Sequence, residues 1–221
     1  MSSTWFFGDQ RRWWLIAAVL LLVAAGGLTA GVRGGRAALP GPTAPPPKAA
    51  AGPSTAEVVA RSVPVLLSIP AIGLSVDLST VGLNADGTVQ VPTNFNEPGW
   101  FGLGPTPGQV GSAVILGHVD SFQGPAVFFE LRSLQVGDQV DVLLTDGVTA
   151  VFTVTGAASY LKTQFPATQV YGFDGGSDLQ LVTCGGTFDA DTGHYLSNVV
   201  VYTSLVGTIP AVGPGNVIPL P

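Results

Sequence analysis

From Pro64 onward the chain is a succession of short β-branched and apolar runs cut by turn residues, and this rhythm constrains the fold more than any other feature. Val65–Ile69, Val76–Leu78, Ala113–Leu116, Gln139–Leu144, Ala150–Val154, Gln180–Thr183 and Val199–Tyr202 each read as a strand, with Gly, Pro, Asn and Asp between them. Branched side chains suit a pleated, half-buried surface, and Gly and Pro interrupt one. Seven or eight such strands over about 140 residues predict a mainly β domain, a closed barrel or a sandwich. Ala126–Leu131 (AVFFEL) fits a short helix and a strand equally well. Residues 207–221 (GTIPAVGPGNVIPLP) are rich in Pro and Gly and predict a loose surface tail.

Ahead of this domain the composition changes twice. Trp13–Val32 is a run of twenty residues with no charge, and at 1.5 Å per residue a helix of that length matches a hydrocarbon core of about 30 Å. It predicts one N-terminal transmembrane helix. Arg11 and Arg12 before it and Arg33 and Arg36 after it nearly balance, so charge orients the helix weakly. A cleavable signal ending near Leu28–Ala30 is the alternative. The run exceeds the roughly 7–15 apolar residues of a signal peptide, which favours an uncleaved single-pass anchor in the cell membrane with the rest of the chain outside. Residues 37–63 hold six prolines among Ala, Gly, Ser and Thr and predict a semi-rigid spacer.

The inventory of reactive side chains is short: one Cys, two His and eight Lys and Arg in 221 residues, with a net charge of −6. One Cys excludes an internal disulfide and any multi-cysteine zinc site, so neither a metal nor an organic cofactor is expected. Phosphate neutralisation needs clustered Lys and Arg, which argues against nucleic acid. Residues Gly82, Gly87, Gly102, Gly104 and Gly108 open no helix and lack the Lys-Ser/Thr pair of a phosphate loop. From Pro64 onward two cations, Arg132 and Lys162, face twelve carboxylates.

Cys184 ends the apolar run Leu179–Thr183 and precedes Gly185 and Gly186, a position that opens a thiol to a groove rather than burying it in mid-strand. The bland reading is an inert buried thiol. A nucleophilic thiol needs a neighbour to stabilise its thiolate, commonly a His. His118 follows the strand Ala113–Leu116 and Gly117, again at a strand end, so the two side chains could share one rim of a barrel. His194 falls in the predicted loop Asp189–Ser197 and reads as a solvated histidine. Asp120 could orient the His118 ring, but with Ser121 it reads as a turn former. Phe128 and Phe129 read as core, and Trp100 as packing near its Gly-Trp-Phe turn or lining a groove.

Taken in order, Ile69-Pro70-Ala71-Ile72-Gly73, Gly99-Trp100-Phe101, Pro107-Gly108, Leu116-Gly117-His118-Val119-Asp120, the L-x-x-G-D-x-V-x-V stretch Leu134–Val142 and Leu181-Val182-Thr183-Cys184 resemble the sortases. The resemblance covers about Pro64–Val206. The segments Cys184–Asp189 and Tyr195–Tyr202 are most similar to class F sortases of high-GC Gram-positive bacteria. It implies an eight-stranded β-barrel with short helices and a membrane-anchored cysteine transpeptidase. Such an enzyme cleaves an LPxTG-like sorting motif between Thr and Gly through a thioacyl intermediate and passes the acyl group to an amine of a cell-wall precursor. Cys184 is then the nucleophile, His118 the proton donor and acceptor, and Thr183 a neighbour shaping the groove.

One part of the pattern is missing. Sortases place an arginine on the strand after the cysteine loop, at Leu196 by the class F pattern or at Asn198 by a gap-free register, and no Lys or Arg follows Lys162. Asn198 donating a neutral hydrogen bond in place of the arginine, Arg132 reaching in from another loop, and a sortase-fold peptide-binding module without efficient catalysis are the three readings. An L,D-type transpeptidase is disfavoured because Thr183-Cys184-Gly185 replaces the Ser-x-Gly-Cys-Arg surroundings it requires.

Overall fold

The structure, a computed structural model, describes residues 59–173 and 175–211. The expected membrane-spanning run, the spacer up to residue 58 and the tail beyond residue 211 lie outside them. Among the described residues no helix is long and apolar enough to cross a membrane.

The strands are β1 (Pro64–Ile69), β2 (Leu74–Asp77), β3 (Ser79–Val81), β4 (Gly99–Phe101), β5 (Gly111–Leu116), β6 (Asp120–Ser121), β7 (Gly124–Pro125), β8 (Gln139–Leu144), β9 (Thr149–Leu161), β10 (Ser177–Asp189) and β11 (His194–Ile209). One five-residue helix, α1 (Ala167–Tyr171), joins β9 to β10. Nine of these strands form one sheet in the order β2-β1-β8-β9-β11-β10-β5-β4-β3, and β6 pairs with β7 as a separate ribbon. The sheet therefore has nine strands rather than the expected eight. The extra one is the three-residue β3, parallel to β4 at the sheet's end. Leu67 of β1 and Trp100 of β4, near opposite ends of the sheet order, lie in one buried cluster with Ile115, Phe152, Leu179, Leu181 and Val201, so the sheet curls into a barrel around that core.

Several segments differ from the sequence reading. Ala126–Leu131 is neither α-helix nor strand: Ala126–Glu130 makes turns and a 3-10 helix follows at Leu131–Ser133. Phe128 is fully buried, as expected, and Phe129 stacks under the Arg132 guanidinium, 5.6 Å from it. The fold begins before Pro64. Val59 and Ser62 are buried, the Ser62 Oγ meets Thr145 Oγ1 at 3.1 Å, and Arg61 donates to the Gly102 and Gly104 carbonyls while covering the buried Trp100 ring. Arg132 is thus not the only arginine against the barrel. At the other end Gly207–Ile209, assigned to the tail, continue β11 and pair with Thr149–Val151. In both places short backbone segments find partners across the sheet that no local pattern reveals.

A bulge in β9 turns the end of that strand to the other face of the sheet. Up to Val154 the even-numbered residues Ala150, Phe152 and Val154 point into the barrel core. The β9–β11 register then slips between Tyr202 and Thr203, with Thr155 as the extra residue, its Oγ1 donating to the Tyr202 carbonyl at 3.1 Å. One inserted residue reverses the sense of every later side chain. Beyond it Ala158 and Tyr160 join a second buried cluster with Val114, Val182, Val200 and Tyr202, capped by Val170 of α1. The Ser112 hydroxyl ties α1 down by donating to the Val170 carbonyl at 2.7 Å.

Candidate active site

The pairing of β5 with β10 brings the two reactive side chains together. These strands are parallel, with Leu116 opposite Val182, and the Gly117 amide donates to the Val182 carbonyl at 3.0 Å. Two residues further along each strand stand His118 and Cys184, on the face of the second cluster because side chains alternate. Both are half-buried and line one cavity of about 700 Å³.

Gly117 is there because Phe128 is. A Cβ at Gly117 would lie 2.5–2.9 Å from the Phe128 ring, so only glycine lets the strand pass over that core aromatic. The Phe128 amide then donates to the His118 carbonyl at 2.9 Å and holds the residue's backbone. His118 Nε2 contacts the Pro92 carbonyl at 2.7 Å, and the Phe95 ring lies over the imidazole with centroids 4.4 Å apart. A carbonyl only accepts, which assigns the proton to Nε2 and leaves Nδ1 as the ring nitrogen able to accept one. Pro92 and Phe95 come from the long β3–β4 connection, pinned by the Val127 amide on the Phe95 carbonyl at 3.0 Å.

Asp120 does not orient the imidazole. Its carboxylate accepts a hydrogen bond from the Tyr195 hydroxyl, which ties the β6–β7 ribbon to β11 across the cavity. That bond to Asp120 holds the Tyr195 phenol above its ordinary value, with burial and the charges of Asp120 and Cys184 adding to the effect and Arg132 opposing it. His194 sits at the start of β11 rather than in a loop; it is exposed and lines the same cavity. It pairs with Asp189, five residues past Cys184 and so about 16 Å along the strand, whereas His118 ends the strand paired with β10. Three phenylalanines, Phe95, Phe122 and Phe188, line the cavity, and Phe122 is 89% exposed. Nothing in their local pattern marked them.

The remaining candidates are placed as follows. Thr183 is buried and, alternating with Cys184, points to the opposite face, outside the cavity lining. Asn198 pairs directly with Cys184, and Tyr160 with Asn198, so these three form one row across β10, β11 and β9. A register slip follows, in which Gly186 at φ 76° and Thr187 oppose Leu196. Leu196 and Asn198 share the face of Cys184, but neither lines the cavity. Arg132 is exposed, lies over Phe129 and stays outside the lining as well. The cavity does contain a cation, Lys162, at the end of β9. Nothing in the sequence pattern placed Lys162 near the site. Among the described residues no group of His, Cys, Asp and Glu could hold a metal ion.

The profile of the Sortase domain matches residues 67–206, more than half of the chain. The chain belongs to the sortase family. Among solved structures this sortase is similar to a lid mutant of sortase A from Corynebacterium diphtheriae, at 19% identity and a TM-score of 0.52 over 74% of this chain and 77% of that one. It is similar to Listeria monocytogenes sortase A at 14% identity and a TM-score of 0.50, covering 67% of this chain and 90% of that one. Sortase C1 from Streptococcus agalactiae matches at 19% identity and a TM-score of 0.50 over 64% of this chain, which spans 66% of that protein's length. At these identities the likeness concerns the fold. Among curated proteins no match is found.

Proposed function

We propose that this sortase is a cysteine transpeptidase in which Cys184 is the nucleophile and His118 the general acid and base. The observation that carries the reading is the parallel β5–β10 register, which sets a lone thiol and an imidazole at matching positions in one cavity. The Cys184 thiolate attacks the carbonyl carbon of a sorting peptide, and the tetrahedral intermediate collapses with cleavage of the C–N bond. His118 gives the leaving amine the proton that its Nδ1 took from the Cys184 thiol when the thiolate formed, and a thioester remains on Cys184. An incoming amine then attacks that thioester and yields its proton to His118, and the C–S bond breaks to release the new amide and the thiolate. No cofactor enters these steps.

The finer parts of the proposal rest on sequence. An LPxTG-like motif, a cell-wall amine as acceptor and membership of class F follow from the resemblance of Leu116–Asp120, Cys184–Asp189 and Tyr195–Tyr202. Anchoring in the cell membrane by Trp13–Val32, with the catalytic domain outside, is supported by the apolar run and the Pro-rich segment that follows it. Asn198 is in register with Cys184 where the arginine is missing, but it lies outside the cavity lining and is at most a secondary, neutral donor.

Incubation with a model LPxTG-type peptide and detection by intact mass tests the reaction. The wild-type chain gains the mass of the acyl fragment, and Cys184→Ala gains none while keeping its far-UV circular dichroism. Peptide binding that persists without any cleavage in the wild type would replace this reading with that of a binding module on a sortase barrel.

A further inference from the structure

The proposed reaction builds negative charge on a carbonyl oxygen beside Cys184, and such charge requires a donor aimed at it from within a sheltered site. The polar side chains of the cavity can be taken one by one. His118 is committed to proton transfer and bonds Pro92 through Nε2. The Tyr195 hydroxyl is spent on Asp120, and the Asp120 carboxylate repels an oxyanion. The Ser121 hydroxyl donates to the Gly124 carbonyl and accepts from the Gln123 amide. His194 belongs to the far end of the β10–β11 hairpin. Lys162 is left, and among the described residues its ammonium has no hydrogen-bond or ion-pair partner.

The register says why a residue of β9 can serve. Tyr160, Asn198 and Cys184 form one row across the sheet, Ser197 pairs with Leu161 at the end of that ladder, and Lys162 follows directly in a 3-10 turn that lines the cavity with Cys184 and His118. Two strand spacings, about 10 Å, separate the β9 and β10 backbones. A four-carbon lysine stem has a reach of the same order as that spacing, and Lys162 and Cys184 line the same cavity. Leu196, opposite the Gly186–Thr187 bulge and 45% exposed, offers no donor and leaves that space open.

We infer that Lys162 is the cation that stabilises the oxyanion, so that the charge comes from the end of β9 rather than from β11. This rests on the transpeptidase reading above. Single-turnover acylation by an LPxTG-type peptide, followed by intact mass, compares wild type, Lys162→Met, Lys162→Arg and Asn198→Ala, each with a thermal melt. The expected result is a loss of about 100-fold for Lys162→Met, recovery to within about tenfold of wild type for Lys162→Arg, a loss below about tenfold for Asn198→Ala, and unchanged melts because Lys162 is exposed. Lys162→Met within twofold of wild type overturns the inference and leaves the transpeptidase standing. Loss in both Lys162 variants with a lowered melt assigns the residue a structural role and overturns it too. A wild type that no peptide acylates removes the transpeptidase reading and this inference together.

Discussion

Gly117 shows how one missing side chain places its neighbour, the His118 imidazole. The backbone at Gly117 lies against the fully buried Phe128 ring, and the same aromatic's amide anchors the His118 carbonyl. An added methyl group has to displace a core ring, a form of overpacking that costs about 1–3 kcal/mol. Gly117→Ala should lower the urea midpoint accordingly and reduce acylation by at least tenfold, since the imidazole moves with its strand. A variant with full stability and full acylation would disconnect His118 placement from Phe128. The Gly-His pair was legible in the sequence as a strand end; its dependence on a phenylalanine ten residues away was not, because that contact is made through the core.

At the level of elements, the bulged β9 and its neighbours form the floor under the site. Beyond Thr155 the strand turns Tyr160 to the second cluster, where its hydroxyl meets that of Tyr202 at 2.9 Å. Burial, and next the hydrogen bond to Tyr160, hold the Tyr202 phenol well above its ordinary value. A raised phenol favours the folded chain while it is neutral. Its contribution is therefore complete below the unfolded value of about 10 and is lost as the pH rises through the folded value. In an alkaline titration the Tyr202 tyrosinate absorbance should appear together with loss of far-UV circular dichroism, not ahead of it. Tyr160→Phe leaves the Tyr202 hydroxyl without its partner and should cost about 1–3 kcal/mol in urea unfolding. Parts of strands β1, β2, β5, β8, β9, β10 and β11 were foreseen from short β-branched and apolar runs between turn residues. The β9 bulge, β3 and the docked Val59–Val63 segment carry no such pattern, and only their cross-strand partners define them.

For the molecule as a whole, charge is lopsided: from Pro64 onward twelve carboxylates outnumber two cations, and one of those two lines the cavity. A field of that sign attracts a peptide with a basic tail, and salt at 0.15 M already screens it beyond about 8 Å. The KM for an LPxTG-type peptide followed by several arginines should rise several-fold between 20 mM and 500 mM salt, with kcat little changed, and a salt-independent KM would exclude steering by this field. By itself the sequence determined the mainly β domain, the strand end that carries His118, and the absence of an arginine after Lys162, because apolar runs, turn chemistry and residue inventory are local properties, whereas Cys184, expected at a strand end, lies inside β10 and pairs with Asn198. The tertiary structure decided which strands pair: the parallel β5–β10 register that brings thiol and imidazole to one cavity, the bulge that turns β9, and the place of Lys162 in the lining of that cavity. Register between strands tens of residues apart follows from which apolar faces bury one another, and a linear pattern of short strands is compatible with many such pairings.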